Sequence, residues 1–403
     1  MQKTKNEARA VADAIDTKDV IRLSQQLVRI PSIYHHEHRL AKFIFNKLDK
    51  WSLSPTYVPV EGFGPDVVSE FGPSNAPCVA FNGHMDTVEV MAGWKHDPFG
   101  AMIENGMLYG LGSLDMKCGI ASMLTAYRAI AESGAARRIR FMFQAVTGEE
   151  DTGLGTRRLV KSGAFRGTKA VIVGEGFGGL GSITVGRRGA SYYDINVKGK
   201  SAHGATPEKG INAVVDASKL VNVLGTMKMR KSREMVDDDL KPISESQTVL
   251  KIHGISDSLS VPERCYLYVV RYTIPGMKND GDREIRKAVR SLRLRSKFDI
   301  KMKTGIHLYH PYHTDPDSAL VQSSMESIRY ETGSRPKLIV GLSEADDNII
   351  AHETGIPVIC FGPGEVGALA RYHQPEEAVS ISQIGPAARS YATAAIALAD
   401  RIR

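Results

Sequence analysis

Apolar positions along the chain fall into two rhythms, and their alternation outlines the fold. Residues 1–16 read as a polar lead-in. Between 18 and 29, Val20, Ile21, Leu23, Leu27 and Val28 share one helical face, and Pro31 stops that helix. A second helix is expected over about 36–50, carrying Leu40, Phe43, Ile44 and Leu48. Short apolar runs near 66–71 and 78–82 predict strands. An amphipathic helix over 116–131 ends at Ser133-Gly134, followed by a strand at 139–146, a helix near 153–162 and the apolar run Ala170–Val173. Past about 186 the character changes. A strand (190–198), a helix (210–227), strands at 247–253 and 264–274, a helix (281–293) and a strand (298–304) give the β-α-β-β-α-β order of a ferredoxin-like split unit. The first pattern then resumes, with strands at 337–341 and 357–361 and helices near 346–353 and 382–401. The pattern predicts an α/β domain with a mixed, mainly parallel sheet, discontinuous in sequence (1–186 and 306–403), with an α+β two-layer sandwich inserted at 187–305.

Bulk properties narrow the picture. The chain has 403 residues, 42% hydrophobic and 24% charged, enough for about two globular domains. No apolar run approaches the roughly 18–20 residues of a membrane helix, and the N-terminal stretch lacks an apolar signal core. A cytoplasmic protein without a membrane partner is expected. The net charge is +7. Its basic residues are scattered apart from 228–233 and 284–297, with no stacking aromatics beside them, so no nucleic-acid partner is expected. The field suits recruitment of a small anionic substrate. Cys78, Cys118, Cys265 and Cys360 lie far apart, each in or beside an apolar stretch, and read as buried reduced thiols.

Five places at predicted strand ends, or in the loops just after them, carry candidate chemistry, where ligands bind in open α/β sheets. In Gly83-His-Met-Asp-Thr-Val88, His84 and Asp86 are two apart and project to one side of extended chain. The pair suits a metal ligand and the carboxylate that orients it, or simply a polar loop. Asp115 follows the glycine-rich Gly110-Leu-Gly-Ser-Leu and reads equally as a helix N-cap. Glu149 and Glu150 follow the strand 140–146, with a solvated loop as the alternative. Glu175 follows Ala170–Val173 and Gly174, and a carboxylate there is costly unless paired or on a metal. His373 sits beyond a Gly-Pro-Gly turn. Histidines and carboxylates without a thiolate make a nitrogen and oxygen donor set suited to a pair of Zn²⁺ ions, with Co²⁺ or Mn²⁺ as substitutes. Two such ions, about 3.5–4 Å apart, need a bridging carboxylate.

Taken together the motifs resemble a zinc-dependent family. Gly83-His-Met-Asp-Thr-Val88, Trp94-Lys-His-Asp-Pro-Phe99, Leu108-Tyr-Gly-Leu-Gly-Ser-Leu-Asp-Met-Lys117, Thr147-Gly-Glu-Glu150, Gly174-Glu175, Gly186-Arg-Arg-Gly189 and His373-Gln-Pro-Glu-Glu377 are similar, in order and spacing, to those of the amidohydrolases and exopeptidases that include acetylornithine deacetylase, succinyl-diaminopimelate desuccinylase, aminoacylase and glutamate carboxypeptidase. The resemblance implies that His84 and Glu175 hold one zinc, Glu150 and His373 the other, and that Asp115 bridges. It implies Glu149 as general base and acid, and Asp86 as the group orienting His84. The inserted domain would be a lid and dimerisation domain, whose His203, in Ser201-Ala-His-Gly204, stabilises the oxyanion in the partner subunit of a homodimer. Arg271 matches a lid arginine associated with the substrate carboxylate. Arg187 is a second candidate for that task, with a structural salt bridge as the alternative. Leu259-Ser-Val-Pro262 departs from the family's usual Asn-Val-Val-Pro, Leu342-Ser-Glu-Ala345 from Ser/Thr-Asp-Ala, and Gly176 replaces a proline. The implied activity is hydrolysis of the amide bond of a small N-acyl amino acid; the alternative is a carboxypeptidase or dipeptidase acting on short peptides.

Overall fold

The strand Cys78–His84 is buried at every residue, because it lies between parallel neighbours, Arg140–Val146 and Thr168–Val173, and is covered on both faces. A computed structural model describes residues 2–134, 139–256, 258–277, 280–364 and 371–402. Val79 and Phe81 enter the larger core, under the helices Thr17–Val28, Cys118–Ser133, Ala319–Thr332 and Ile381–Ala399. Cys78 and Ala80 enter the opposite one, with Leu159 of the helix Leu154–Ser162 and Ile350 of Asp346–Thr354. Alternation along one strand thus builds both layers.

Parallel pairing continues to Val358–Cys360, and the flanks turn antiparallel. Asp66–Phe71 pairs with Arg140–Val146, and Thr56–Val58 lies beyond it. On the other side, Ser182–Arg187 runs antiparallel to Val358–Cys360 and to Tyr312–His313, and parallel to Lys337–Gly341. The nine-stranded sheet is mixed as expected, with parallel pairing concentrated at its centre.

A second sheet has the order Ser246–His253, Arg264–Thr273, Gly189–Lys198, Lys297–Met302, antiparallel throughout. The helices Ala213–Thr226 and Gly281–Ser291 pack on it, and Tyr193, Ile195, Leu220, Leu267 and Ile285 form a core separate from the first.

Three features differ from the sequence pattern. The lead-in is a helix, Gln2–Asp13, whose Ala8, Val11 and Ala12, with Ile15, form a narrow buried stripe of small residues that the polar composition hides. The pattern misses Ala319–Thr332 because its buried face is partly serine: Ser323, Ser324 and Ser327. It also misses the hairpin of Lys231–Val236 and Pro242–Ser244, which shows no clean alternation. Through Met235 and Ile243 this hairpin packs against Ile274 of the second sheet and Val340 of the first, tying the two together.

The helix Cys118–Ser133 starts close against the turn that carries Glu175. A Cβ on Gly119 would lie 2.0 Å from the carbonyl oxygen of Gly174, a backbone atom that cannot swing aside. We expect Gly119→Ala to cost about 1–3 kcal/mol of stability. Urea unfolding at fixed metal content checks this; a variant as stable as its parent would contradict the close approach.

Candidate metal centre

His84 ends the central strand. Its Nδ1 lies 3.0 Å from the backbone carbonyl of Asp86, and that contact fixes the ring with Nε2 facing Asp115. The Asp86 carboxylate was expected to orient this ring. Its nearer oxygen is 3.8 Å away, whereas the other accepts the Glu150 N–H at 2.9 Å. Asp86 therefore steadies His84 mainly through its main chain, and its side chain holds the Glu149-Glu150 turn. Burial pushes the Asp86 carboxyl up to about 7.

Asp115 is delivered by a turn that begins at Gly112, whose φ of +77° favours glycine. A Cβ there would also meet Thr87 at 2.6 Å. The turn is held by a residue to which the sequence reading gave no role. The Glu377 carboxylate accepts the backbone N–H groups of Gly112 (2.9 Å), Leu114 (2.8 Å) and Asp115 (3.0 Å). Glu377 is buried, and burial pushes it up to about 8 against the pull of those N–H donors. Its neighbour Glu376 accepts from the backbone of Lys95 and His96 and pairs with the His96 ring at 2.7 Å. The segment 373–377 thus presents a histidine and clamps two other motifs. The available signal was the repeated acid in His373-Gln-Pro-Glu-Glu377.

The candidate ligands converge on Asp115. One carboxylate oxygen lies 2.9 Å from His84 Nε2, the other 3.3 Å from His373 Nε2, and the same His373 nitrogen is 3.1 Å from Glu150. Donor atoms of His84, Glu149 and Glu150 lie within 4.8 Å of one another, as do those of Asp115, Glu150 and His373. Burial works against Asp115, yet hydrogen bonds with His373 and His84 hold it below the usual carboxylate range. Burial pushes Glu149 and Glu150 upward; repulsion from Glu150 adds to the first and repulsion from Asp115 to the second. Glu175 is pushed up to about 8 by burial despite Arg187, which donates to it at 3.2 Å. Crowded buried carboxylates with two histidines facing them need positive charge among them, and this donor set fits a pair of divalent cations.

The arginines settle elsewhere than on an open binding surface. Arg187 is buried, bonds Asp347 at 2.8 Å as well as Glu175, and lies over the Phe177 ring, which stacks on Tyr372 beside His373. Its fork is occupied by carboxylates of the protein. Arg271 is buried in the second sheet between Glu245 (3.2 Å) and Glu284 (2.6 Å). In this chain Arg271 is held by carboxylates of the protein itself. His203 is exposed in a loop of the second sheet's unit, where its Nδ1 accepts the Ala205 N–H. Within one chain the structure brings together His84, Asp115, Glu149, Glu150, Glu175 and His373, with Asp86 and Arg187 behind them. His203 and Arg271 stay apart from this group.

Comparison with known proteins finds relatives of similar sequence and fold. A protein from Staphylococcus epidermidis described as a probable succinyl-diaminopimelate desuccinylase is 26% identical over 382 residues, covering 87% of this chain and 91% of that one. The fold superposes on aminopeptidase PepT from Bacillus cereus with a TM-score of 0.76 at 19% identity, over 96% of this chain and 99% of that one. It superposes equally, at 0.76 and 17% identity, on the metallo-carboxypeptidase Sso-CP2 from Sulfolobus solfataricus, over 95% and 99% of the two chains. The model described as peptidase family M20/M25/M40 matches residues 80–397, and the chain belongs to that family.

Proposed function

We propose that this protein is a two-metal hydrolase that removes the acyl group from a small N-acyl amino acid. The observation that carries the reading is Asp115, which turns one oxygen to each of two histidines on separate elements, the arrangement a bridging ligand requires. His84 and Glu175 would hold one ion, and Glu150 and His373 the other. Zinc fits these nitrogen and oxygen donors, and cobalt or manganese would substitute. Bound there, the pair would polarise the scissile carbonyl and acidify the attacking water. Glu149 takes that water's proton on a carboxylate oxygen and passes it to the departing amine nitrogen. The upward push on its proton affinity suits a group that must both accept and donate. The desuccinylase relative, aligned over most of both chains, supports deacylation, and the chain's positive charge favours a carboxylate-bearing substrate.

The second sheet acts in this scheme as lid and dimer contact. Ser246–His253 is an edge strand, and Leu250 and Ile252 on it are 49% and 51% exposed, with Ile255 and Leu259 beyond it more exposed still. An exposed apolar edge invites pairing. A second copy covering it would bring His203 to the partner's metal centre, where its ring N–H would donate to the developing oxyanion. Among the described residues no helix is long and apolar enough to cross a membrane, and the four cysteines are free and buried. A reducing cytoplasm fits them.

Zinc-loaded protein offered N-acetyl and N-succinyl amino acids and a set of dipeptides should release acetate or succinate and lose that activity to excess chelator. Release of C-terminal amino acids from the peptides alone would overturn the deacylase reading. Glu149→Gln should keep both metals and lose about 10²–10⁴-fold in kcat; near-parental turnover would remove Glu149 from the proton path. His203→Ala should lower kcat about 10²–10³-fold with metal content unchanged. Mixing it with a Glu149→Gln chain should restore part of the activity if His203 serves the partner's site.

A further inference from the structure

We propose that Glu344 is a positioning residue that couples the second sheet to the metal ligand Glu175; the proposal rests on the two-metal reading above. It starts from two pairs of neighbours that face opposite ways. Arg187 points to the metal centre, donating to Glu175 at 3.2 Å, to Asp347 at 2.8 Å and to Ser343 Oγ at 3.4 Å. Arg188 points to the second sheet and its hairpin. It donates to Ser244 O at 3.0 Å and Ser246 Oγ at 3.1 Å, and its guanidinium lies 4.7 Å from the centre of the Tyr272 ring. The same split recurs in Leu342-Ser-Glu-Ala345, the stretch that departs from the family pattern. Ser343 faces Arg187, whereas Glu344 accepts the Tyr192 hydroxyl at 2.5 Å and that of Tyr272 beside it.

The loop between these contacts is short and stiff. Arg188 Nε donates to Leu342 O at 2.6 Å. Asp347 is fully buried and accepts the Tyr312 hydroxyl at 2.8 Å as well as Arg187. Asn348 donates to Arg188 O at 3.1 Å and to His310 O at 2.8 Å. Arg188 and His310 lie on the two crossovers that join the sheets, so residues 342–348 grip both connections and the Arg187–Glu175 pair at once. A shift of the second sheet that moves Tyr192 and Tyr272 drags Glu344. Ser343 and Asp347, a few bonds away, carry that shift to Arg187 and hence to Glu175. Glu344 is only partly buried, so losing its carboxylate removes the tie without emptying a core.

The test compares Glu344→Ala, Glu344→Gln and the double variant Tyr192→Phe/Tyr272→Phe with the parent. Co²⁺ titration followed by visible absorption reads each metal step, and kcat and KM are taken on the best substrate of the panel. Outer partners of metal ligands typically change metal affinity by about 10–100-fold. Glu344→Ala and the tyrosine double should each weaken one of the two Co²⁺ steps about tenfold and lower kcat more than they raise KM. Glu344→Gln, which keeps an acceptor oxygen, should recover most of both. Combining Glu344→Ala with the tyrosine double should add little, because the groups act as one unit. Two Co²⁺ steps within twofold of parent in both variants, or effects that simply multiply, would overturn the proposal. If Glu344→Ala fails to fold, the tyrosine double alone decides. A parent chain that takes up fewer than two Co²⁺ ions overturns the two-metal reading itself, and the coupling with it.

Discussion

Repulsion among buried carboxylates is the constraint on which the site depends. Asp115, Glu149, Glu150 and Glu175 are gathered at strand ends where water screens poorly. Burial and mutual repulsion oppose their all being charged at once. Asp115 stays anionic because two histidines contact it, whereas burial drives the others towards protonation. Divalent cations held by the same oxygens, as proposed above, would replace those protons with positive charge, which would link metal uptake to proton release. The rest of the catalytic unit keeps the carboxylates from relaxing apart. The central strand fixes His84, Asp86 fixes the Glu149-Glu150 turn, Glu377 fixes the Asp115 turn, and Arg187 fixes Glu175.

What could be read from the sequence follows from this. Strand ends are visible as apolar runs meeting glycine and acid, so His84, Asp115, Glu149, Glu150 and Glu175 announce themselves by position. The apolar run that predicts a strand near 78–82 is continuous because its residues fill two cores, one on each face. Groups that act through contacts distant in sequence leave no periodic trace. Glu377 meets the Asp115 turn across more than 260 residues, and Arg187 meets Asp347 across 160. Arg271 shows the converse. Its motif marked it for a substrate carboxylate, and only the packing shows Glu245 and Glu284 already there. The helix Gln2–Asp13 escaped because its buried stripe is narrow in a polar composition, and the hairpin of 231–244 because its strands show no clean alternation.

The distribution of stiffness in the molecule argues for how the two sheets share the work. Of the proposed ligands, His84, Glu150 and Glu175 sit on or just beyond strands of the first sheet, and Asp115 and His373 come from segments flanking a small separate sheet, with Glu377 holding the Asp115 turn and Arg187 holding Glu175. Among the described residues, the second sheet adds no member to either candidate ligand group. It contributes an exposed histidine, an apolar edge and two tyrosines aimed at Glu344. Enclosure of substrate by the second sheet belongs to the function proposed above. Were that proposed motion independent of the metals, the two crossovers and the hairpin contact through Ile243 would suffice to join the sheets. The structure instead places one stiff loop, 342–348, against both crossovers and against the arginine that holds Glu175. Under the proposed function, a lid tied so directly to Glu175 is the arrangement expected when substrate enclosure and ligand geometry must change together.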